Sequence, residues 1–266
     1  MAGIRNIWVT AALIASLLVP VYFLAAAFGT KFGLLDWTIG FGLMTFRFGP
    51  LVLMGAAGFA LIGLLLAIFV PPRRGVATAL LALAIPAAGL GYGAYAAAGA
   101  ADIPPIHDVS TDLANPPEFS PDVAEARAGI AMANSVVHAD QRIPEGPRWG
   151  DLAGKTNGEV QATAYADIQP LAVADSPERA FDLALAAAEA QGWTVTYSDR
   201  TTGRIEATVQ SFFFGFVDDI VVRVTPTEGG SVIDVRSSSR VGVSDLGANA
   251  KRIRAYLAAL QAHGAS

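Results

Sequence analysis

Three long stretches without a charged residue constrain this chain more than any other feature of its sequence. They cover residues 7–28, 50–70 and 76–98. A helix needs about 20 apolar residues to cross roughly 30 Å of hydrocarbon, and each stretch is long enough. A cleaved signal peptide is the alternative for the first stretch, but its apolar run is long for a signal core and two more spans follow. The sequence therefore predicts three transmembrane helices within residues 1–101, with the lipid bilayer as their partner.

Basic residues in the short loops predict the orientation of these spans. Arg5 precedes the first span, and Arg73 and Arg74 lie between the second and the third. Because basic loops stay in the cytoplasm, the N-terminus is expected inside and the part after the third span outside. Lys31 and Arg47, in the loop between the first two spans, oppose this orientation. The chain is thus expected to be a multi-pass protein with an external C-terminal domain.

The balance of charge reverses after the third span. Residues 1–101 contain five basic residues and one acidic residue, a net charge of +4, whereas residues 102–266 contain thirteen basic and twenty-two acidic residues, a net charge of −9. An acidic soluble part argues against nucleic acid as a partner, because the phosphate backbone selects a basic protein surface.

The residue types of many catalytic and metal sites are scarce. The chain contains no cysteine, which excludes disulfides, thiolate metal sites and catalytic thiols. Its three histidines, His107, His138 and His263, lack the spacing of metal ligands. His107 with Asp108 and Asp112 would suit either a metal site or a turn, and the neighbouring prolines favour the turn. We therefore predict no metal and no cofactor.

The rest of the chain divides into a connector and a domain. Residues 102–166 are rich in Pro, Gly, Asn and Asp, which predicts an extended acidic connector with a short helix around 122–131. Residues 167–266 predict an α+β domain, an antiparallel sheet with two helices on one face. The first of these helices should begin after Ser176, whose side chain can cap free amides ahead of Pro177.

Alternating apolar residues predict three or four strands, over residues 193–198, 204–211, 219–225 and 231–239. A closing helix then carries an apolar stripe of Leu246, Ala250, Ile253, Leu257 and Leu260. The strand residues expected under the helices are Ile205, Ala207, Val209, Ile220, Val222, Val224, Ile233 and Val235. The opposite side, here called the polar face, is expected to meet solvent and comprises Glu206, Asp219, Arg223, Asp234, Arg236, Ser238 and Arg240.

The "SFFFGF" segment between the second and third of these strands is unusually aromatic. Phe212, Phe213, Phe214 and Phe216 favour burial in the core, although a loop tip in contact with the bilayer would also need large apolar residues.

Three segments together carry a family resemblance: "PPIHDVSTDLANPPEF", "GRIEATVQSFFFGFVDDIVVRV" and "IDVRSSSRVGVSDLGANAKRIRAYLAAL". They resemble the bacterial family known as domain of unknown function 1499, over roughly residue 102 to the end. Several members of that family also have membrane spans ahead of the domain. Together with the orientation predicted from the basic loops, a bacterial family indicates a protein of the inner membrane with a periplasmic domain. The resemblance implies no established activity.

Six polar residues are candidates for binding a ligand: Asp219, Arg223, Arg236, Arg240, Asn249 and Arg252. Arg236 and Arg240 share a strand face, while Asn249 and Arg252 share a helix stripe, so the turn between strand and helix is expected to bring them together. Arginine suits bidentate recognition of an anionic or lipid ligand, or of an internal carboxylate. The alternative is that these charges pair with one another across the strands and serve only the fold.

The sequence is compatible with two functions of different class. The first is a membrane-anchored, non-enzymatic binding or structural domain, and its protein partner is not identified. The second is an envelope hydrolase or transferase that acts on an anionic or lipid substrate through Asp219, Arg236 and Arg240. No catalytic residue is predicted, because the "RSSSR" cluster lacks a Gly-x-Ser-x-Gly elbow and a nearby histidine. Convergent charges in a concave pocket would favour the enzyme. A flat sheet whose charges are all paired would favour the binding or structural domain.

Overall fold

The computed structural model describes residues 2–264, apart from the side chains of residues 139, 263 and 264, and it consists of two compact units. The first unit contains the chain up to Asp102 together with Ser211–Gly215. The second unit contains Ile103–Gln210 and the chain from Phe216 onwards.

The first unit contains three helices that are long and apolar enough to cross a membrane. Helix α1 covers Ala2–Lys31, a π-helix over Thr38–Phe48 continues directly into α2 over Gly49–Phe69, and α3 covers Val76–Ala100. At most 28% of each apolar window is buried, so most of these apolar side chains lie on the surface of the helices. By length and composition, the three predicted spans are confirmed.

Small side chains mediate the packing of α1, α2 and α3. Two buried clusters form between them: Val9, Ala67 and Ala79, and Ala12, Ala60 and Ala82. Alanine lets helix backbones approach closely, which favours packing where lipid removes the hydrophobic drive between helices. At one end of the bundle, the buried Arg5 donates from Nη1 to the Val70 carbonyl at 3.0 Å and so satisfies a free carbonyl at the end of α2.

The second unit is built on a six-stranded antiparallel sheet. Its strands are β1 (Asp108–Ser110), β2 (Leu171–Val173), β3 (Thr194–Asp199), β4 (Arg204–Gln210), β5 (Val217–Thr227) and β6 (Gly230–Ser239). The order across the sheet is β1-β6-β5-β4-β3, and β2 also pairs with β6. The four long strands lie at the predicted positions, so the larger of the two predicted numbers, four, is correct. The two short strands were not predicted, because three residues are too few to display an alternating pattern.

Two helices cover one face of this sheet, as predicted. Helix α6 covers Pro177–Ala190, and the Ser176 hydroxyl accepts a hydrogen bond from the Arg179 amide at 3.4 Å, as the capping pattern predicted. Helix α7 covers Ala248–Gly264. The strand residues predicted beneath them are buried, except Val209, which is partly buried.

Helix α7 begins later than its apolar stripe predicted. Leu246 has a φ of 54°, precedes the helix and is exposed, so its assignment to the apolar stripe was wrong. The cause is the cap: the Asp245 carboxylate accepts hydrogen bonds from the amides of Gly247 at 2.8 Å and Asn249 at 2.7 Å. Burial raises the pKa of Asp245, and the two amide hydrogen bonds oppose that change.

Residues 103–166 are part of the second unit's fold and not the extended connector that composition predicted. They contain β1, helix α4 (Pro121–Ala128) and helix α5 (Asn157–Ala164), and β1 pairs with β6. The segment also adds five buried residues to the main core: Ile106, Val109, Ile143, Val160 and Tyr165. Its many prolines and glycines interrupt every helical or strand period, which is why local pattern alone did not reveal this role.

Candidate functional site

The polar face is buried, which corrects the expectation that it meets solvent. Asp219 and Ser238 are 0% exposed, Arg236 is 1% exposed, and Glu206 and Asp234 are each 3% exposed. Residues 111–141, here called the covering segment, contact this face through Thr111, Pro117, Ser120, Arg127 and Val136. Burial of this many charges is tolerated only when each has a partner of opposite charge or a hydrogen bond.

Arg236 lies at the centre of the buried polar face and pairs with Asp108 of β1. Its Nε is 3.0 Å from Asp108 Oδ1, and its Nη2 is 2.6 Å from Oδ2, so the pair is bidentate. The same guanidinium donates to the carbonyls of Pro117 at 3.2 Å and Val136 at 3.0 Å, and it lies 4.7 Å from the centre of the Phe119 ring. Burial alone would raise the pKa of Asp108, but the charge and hydrogen bonds of Arg236 outweigh it and lower that pKa.

Asp219 is shared by two arginines. Arg240, the residue directly after β6, donates from Nη2 to Oδ1 at 2.7 Å, and Arg127 on α4 donates from Nε to Oδ2 at 2.9 Å. Arg127 also donates to the carbonyls of Ser238 at 3.1 Å and Asn134 at 3.2 Å. One carboxylate thus connects the covering segment, β5 and β6. Burial is the main cause of a lowered pKa for Arg127, and Asp219 opposes that change.

The remaining charges of the polar face lie at its partly open edge. Arg223 pairs with Asp234 at 2.9 Å and with Asp112 at 3.3 Å. A cavity of about 120 Å³ lies here, lined by Pro117, Glu118, Thr202, Arg204, Val221 and Arg223. It is smaller than the roughly 300–1,000 Å³ of common small-molecule sites. Of the six candidate ligand-binding residues, it includes only Arg223.

Asn249 and Arg252 belong to α7, which packs on the opposite face of the sheet. Asn249 accepts a hydrogen bond from the Ser237 hydroxyl at 2.6 Å and donates from Nδ2 to the His107 carbonyl at 2.9 Å. Arg252 pairs with Asp218 at 2.6 Å.

The candidate residues therefore divide between the two faces, and the expected convergence of Arg236, Arg240, Asn249 and Arg252 is wrong. Consecutive strand residues point to opposite sides, so Ser237 faces α7 while Arg236 and Arg240 face the covering segment. Whether any of the six residues binds a ligand stays a prediction.

Sequence reasoning missed the partners Asp108 and Arg127, because both lie in the supposed connector. One signal was available: the family resemblance extended to about residue 102, well before the predicted start of the domain at residue 167. Because the family resemblance begins ahead of the domain start that composition predicted, it indicates that the residues in between belong to the same fold.

The buried His107 and the partly buried His138 flank the Asp108–Arg236 pair. Burial is the main cause that lowers the pKa of both His107 and His138, and in each case Asp108 opposes the change. His107 Nδ1 is 3.3 Å from the Val243 carbonyl, which favours the neutral tautomer with its proton on that nitrogen. Among the described residues, no group of three or more His, Cys, Asp or Glu is placed to hold a metal ion.

We expect mild acid to destabilise the second unit through these histidines. Because both pKa values lie below the ordinary 6.5, the unfolded chain binds protons first as the pH falls. Stability should therefore be constant above that value and decrease as the pH falls from it towards the lowered pKa values. Thermal melts of the full chain at pH 7.5, 6.5 and 5.5 would measure this loss. The double variant His107→Gln and His138→Gln should lose less stability over the same range, and an unchanged pH dependence would contradict the assignment.

A family model described as Protein of unknown function (DUF1499) matches residues 108–260, which is more than half of the chain. The match begins at the first residue of β1 and ends within α7, so it includes both the covering segment and the sheet. It confirms the resemblance found in the sequence. No curated protein matches the chain.

Proposed function

The chain belongs to the family of proteins of unknown function DUF1499, and from this premise we propose that it is a membrane-anchored protein with a non-enzymatic binding or structural domain. We propose further that this domain lies on the periplasmic side of a bacterial inner membrane. The observation that carries the proposal is the paired state of the polar face. Asp219 and Arg236, the central charges of this face, are inaccessible and bound to groups of opposite charge.

The same geometry weighs against the alternative of an envelope hydrolase or transferase. A catalytic carboxylate or an anion-binding arginine must reach its substrate, whereas Asp219 and Arg236 are covered by residues 111–141. Arg240 retains partial exposure, but it donates to Asp219 through both Nε and Nη2. These charges therefore support a stable scaffold better than a catalytic centre.

Native mass spectrometry of the purified full-length protein tests the binding half of the proposal. A lipid or metabolite that stays bound through purification would identify a binding protein and its ligand class. A protein free of small molecules would favour the structural role. Conversion of a released ligand into a product during incubation with the protein would instead support the enzymatic alternative.

The positions of the basic residues support the proposed orientation. Arg5 contacts Val70 at the end of α2, so it lies at the same end of the bundle as Arg73 and Arg74, which directly follow. Three basic residues thus cluster at one end of the three helices. The excess of basic residues in short loops marks the cytoplasmic side, which favours an external second unit.

A reporter fusion tests this orientation. Alkaline phosphatase, which is active only outside the cytoplasm, should be active when fused after residue 266. A fluorescent protein that matures only in the cytoplasm should stay dark at the same position. As a matched control, fusions to a chain truncated after Arg74 should give the opposite pattern. The reverse result at both positions would overturn the orientation and the choice of the periplasm.

A further inference from the structure

Two phenylalanines of the segment between β4 and β5 are exposed in the first unit. Ser211–Gly215 belongs to the same compact unit as the membrane helices. Phe212 is 68% exposed and Phe213 is 52% exposed, which contradicts the expected burial of these two residues in the core. Side chains this large and apolar are rarely left in water as a group, and such patches usually mark an interaction surface.

These rings pack at the C-terminal end of α1. The ring centre of Phe28 lies 6.1 Å from that of Phe212 and 6.0 Å from that of Phe213, and Phe28 also stacks with Phe32 at 6.0 Å. Lys31 donates from Nζ to the Phe212 carbonyl at 2.9 Å. We call Phe28, Phe32, Phe212 and Phe213 the aromatic patch. It combines exposed apolar rings with a lysine, the composition that membrane interfaces favour.

A second ring contact connects the segment between β4 and β5 to the π-helix. The ring centre of Phe214 lies 5.1 Å from that of Phe41 in the π-helix, and Phe41 lies 5.2 Å from Phe46, which is 66% exposed. Phe214 has a φ of 62°, a left-handed conformation that is uncommon for a bulky residue. Such backbone strain persists where surrounding contacts require it, and here it directs Phe212 and Phe213 towards α1 and Phe214 towards the π-helix.

The length of α1 indicates the depth at which the aromatic patch lies. The apolar run of α1, between Asn6 and Gly29, contains 22 residues, from Ile7 to Phe28. At 1.5 Å per residue it extends over about 33 Å, close to the roughly 30 Å of a hydrocarbon core. If the run from Ile7 to Phe28 crosses the hydrocarbon, Phe28 is expected at its boundary and the rings packed on Phe28 at the level of the lipid head groups.

We propose that Phe212 and Phe213 insert into the interface of the bilayer that α1 crosses, with lipid as the partner of the aromatic patch. Aromatic rings are enriched at this level, and the ammonium group of Lys31 would interact with lipid phosphates while its stem lies along the rings. Because Phe212 and Phe213 lie between β4 and β5, their insertion would give the second unit an attachment to the membrane in addition to the chain that follows α3.

Site-directed spin labelling tests the proposal on the full chain. The protein contains no cysteine, so Phe213→Cys creates a single position for a nitroxide label. In vesicles of phosphatidylcholine and phosphatidylglycerol, the label should collide several-fold more often with dissolved oxygen, relative to a water-soluble nickel chelate, than a label in water does. Leu17→Cys provides the reference within the span, and Met132→Cys, at an exposed position of the second unit, provides the aqueous reference.

Two outcomes would overturn the proposal. A label at position 213 with the collision ratio of Met132→Cys would show that the patch lies in water. A label shielded from both reagents and broadened by a neighbouring label would show that a second copy of the chain covers the patch. Phe212→Cys provides an independent measurement with the same expected results if Phe213→Cys does not fold.

Discussion

Replacing Arg236 by alanine is expected to lower the free energy of unfolding of the second unit by about 3–5 kcal/mol. Arg236 is 1% exposed and pairs with Asp108, which is 0% exposed. The substitution would leave the Asp108 carboxylate charged in a dry environment without its counter-ion. It would also leave the carbonyls of Pro117 and Val136 without these donors. Thermal and denaturant melts of the full chain would measure the loss.

The surface pair of Arg254 and Asp167 provides a matched control. These two residues also form a bidentate contact, at 2.6 and 2.7 Å, but their side chains are 44% and 58% exposed. Arg254→Ala should therefore cost less than about 1 kcal/mol, because water replaces the lost partner. Equal effects of the two substitutions would contradict the structural role of the buried pair.

The same melts separate a structural from a ligand-binding role for Arg236. If Arg236 bound a phosphate-bearing lipid, Arg236→Ala would leave stability nearly intact and abolish stabilisation by that lipid. If it serves the fold, the variant is strongly destabilised and such lipids change neither melt. Arg252→Ala, on the other face, removes the partner of Asp218 and tests the same question for the α7 side of the sheet.

Replacing Asp219 by asparagine is expected to cost a similar amount, about 3–5 kcal/mol. Asparagine keeps the size of the side chain but removes the one charge that faces both Arg127 and Arg240. Two neighbouring guanidinium groups would then repel each other, and Arg127 is itself 3% exposed. The covering segment should also become more mobile, because Arg127, which pairs with Asp219, lies on α4 within that segment. Hydrogen exchange of residues 121–141, measured by mass spectrometry, should therefore increase together with the decrease in melting temperature.

Asp182→Asn is the matched control for this substitution. Asp182 pairs with Arg200, and both side chains are more than half exposed. Its replacement should leave the melting temperature and the exchange of residues 121–141 nearly unchanged. An Asp219→Asn variant as stable as Asp182→Asn would mean that the polar face does not hold the covering segment.

The local sequence pattern predicted the strands and helices that are long enough to show their hydrophobic period. Strands β3 to β6 alternate over six to eleven residues, and α6 has both a serine cap and a proline at its first position. Strand β1 has three residues and no period, yet its Asp108 is the main partner of Arg236. The pairing of β1 with β6 joins residues about 130 positions apart, and local propensity contains no information about such a contact.

The sequence by itself determined the three apolar spans, the α+β class of the second unit and the two faces of its sheet. Each of these follows from a property of consecutive residues: the length of an uncharged run, or an alternation with a period of two. Only the tertiary structure decided that residues 111–141 cover the polar face and that its arginines are buried. The physical reason is that the same pattern of charged residues fits a face exposed to water and a buried face whose charges are paired. Contacts between distant parts of the chain decide which of the two forms.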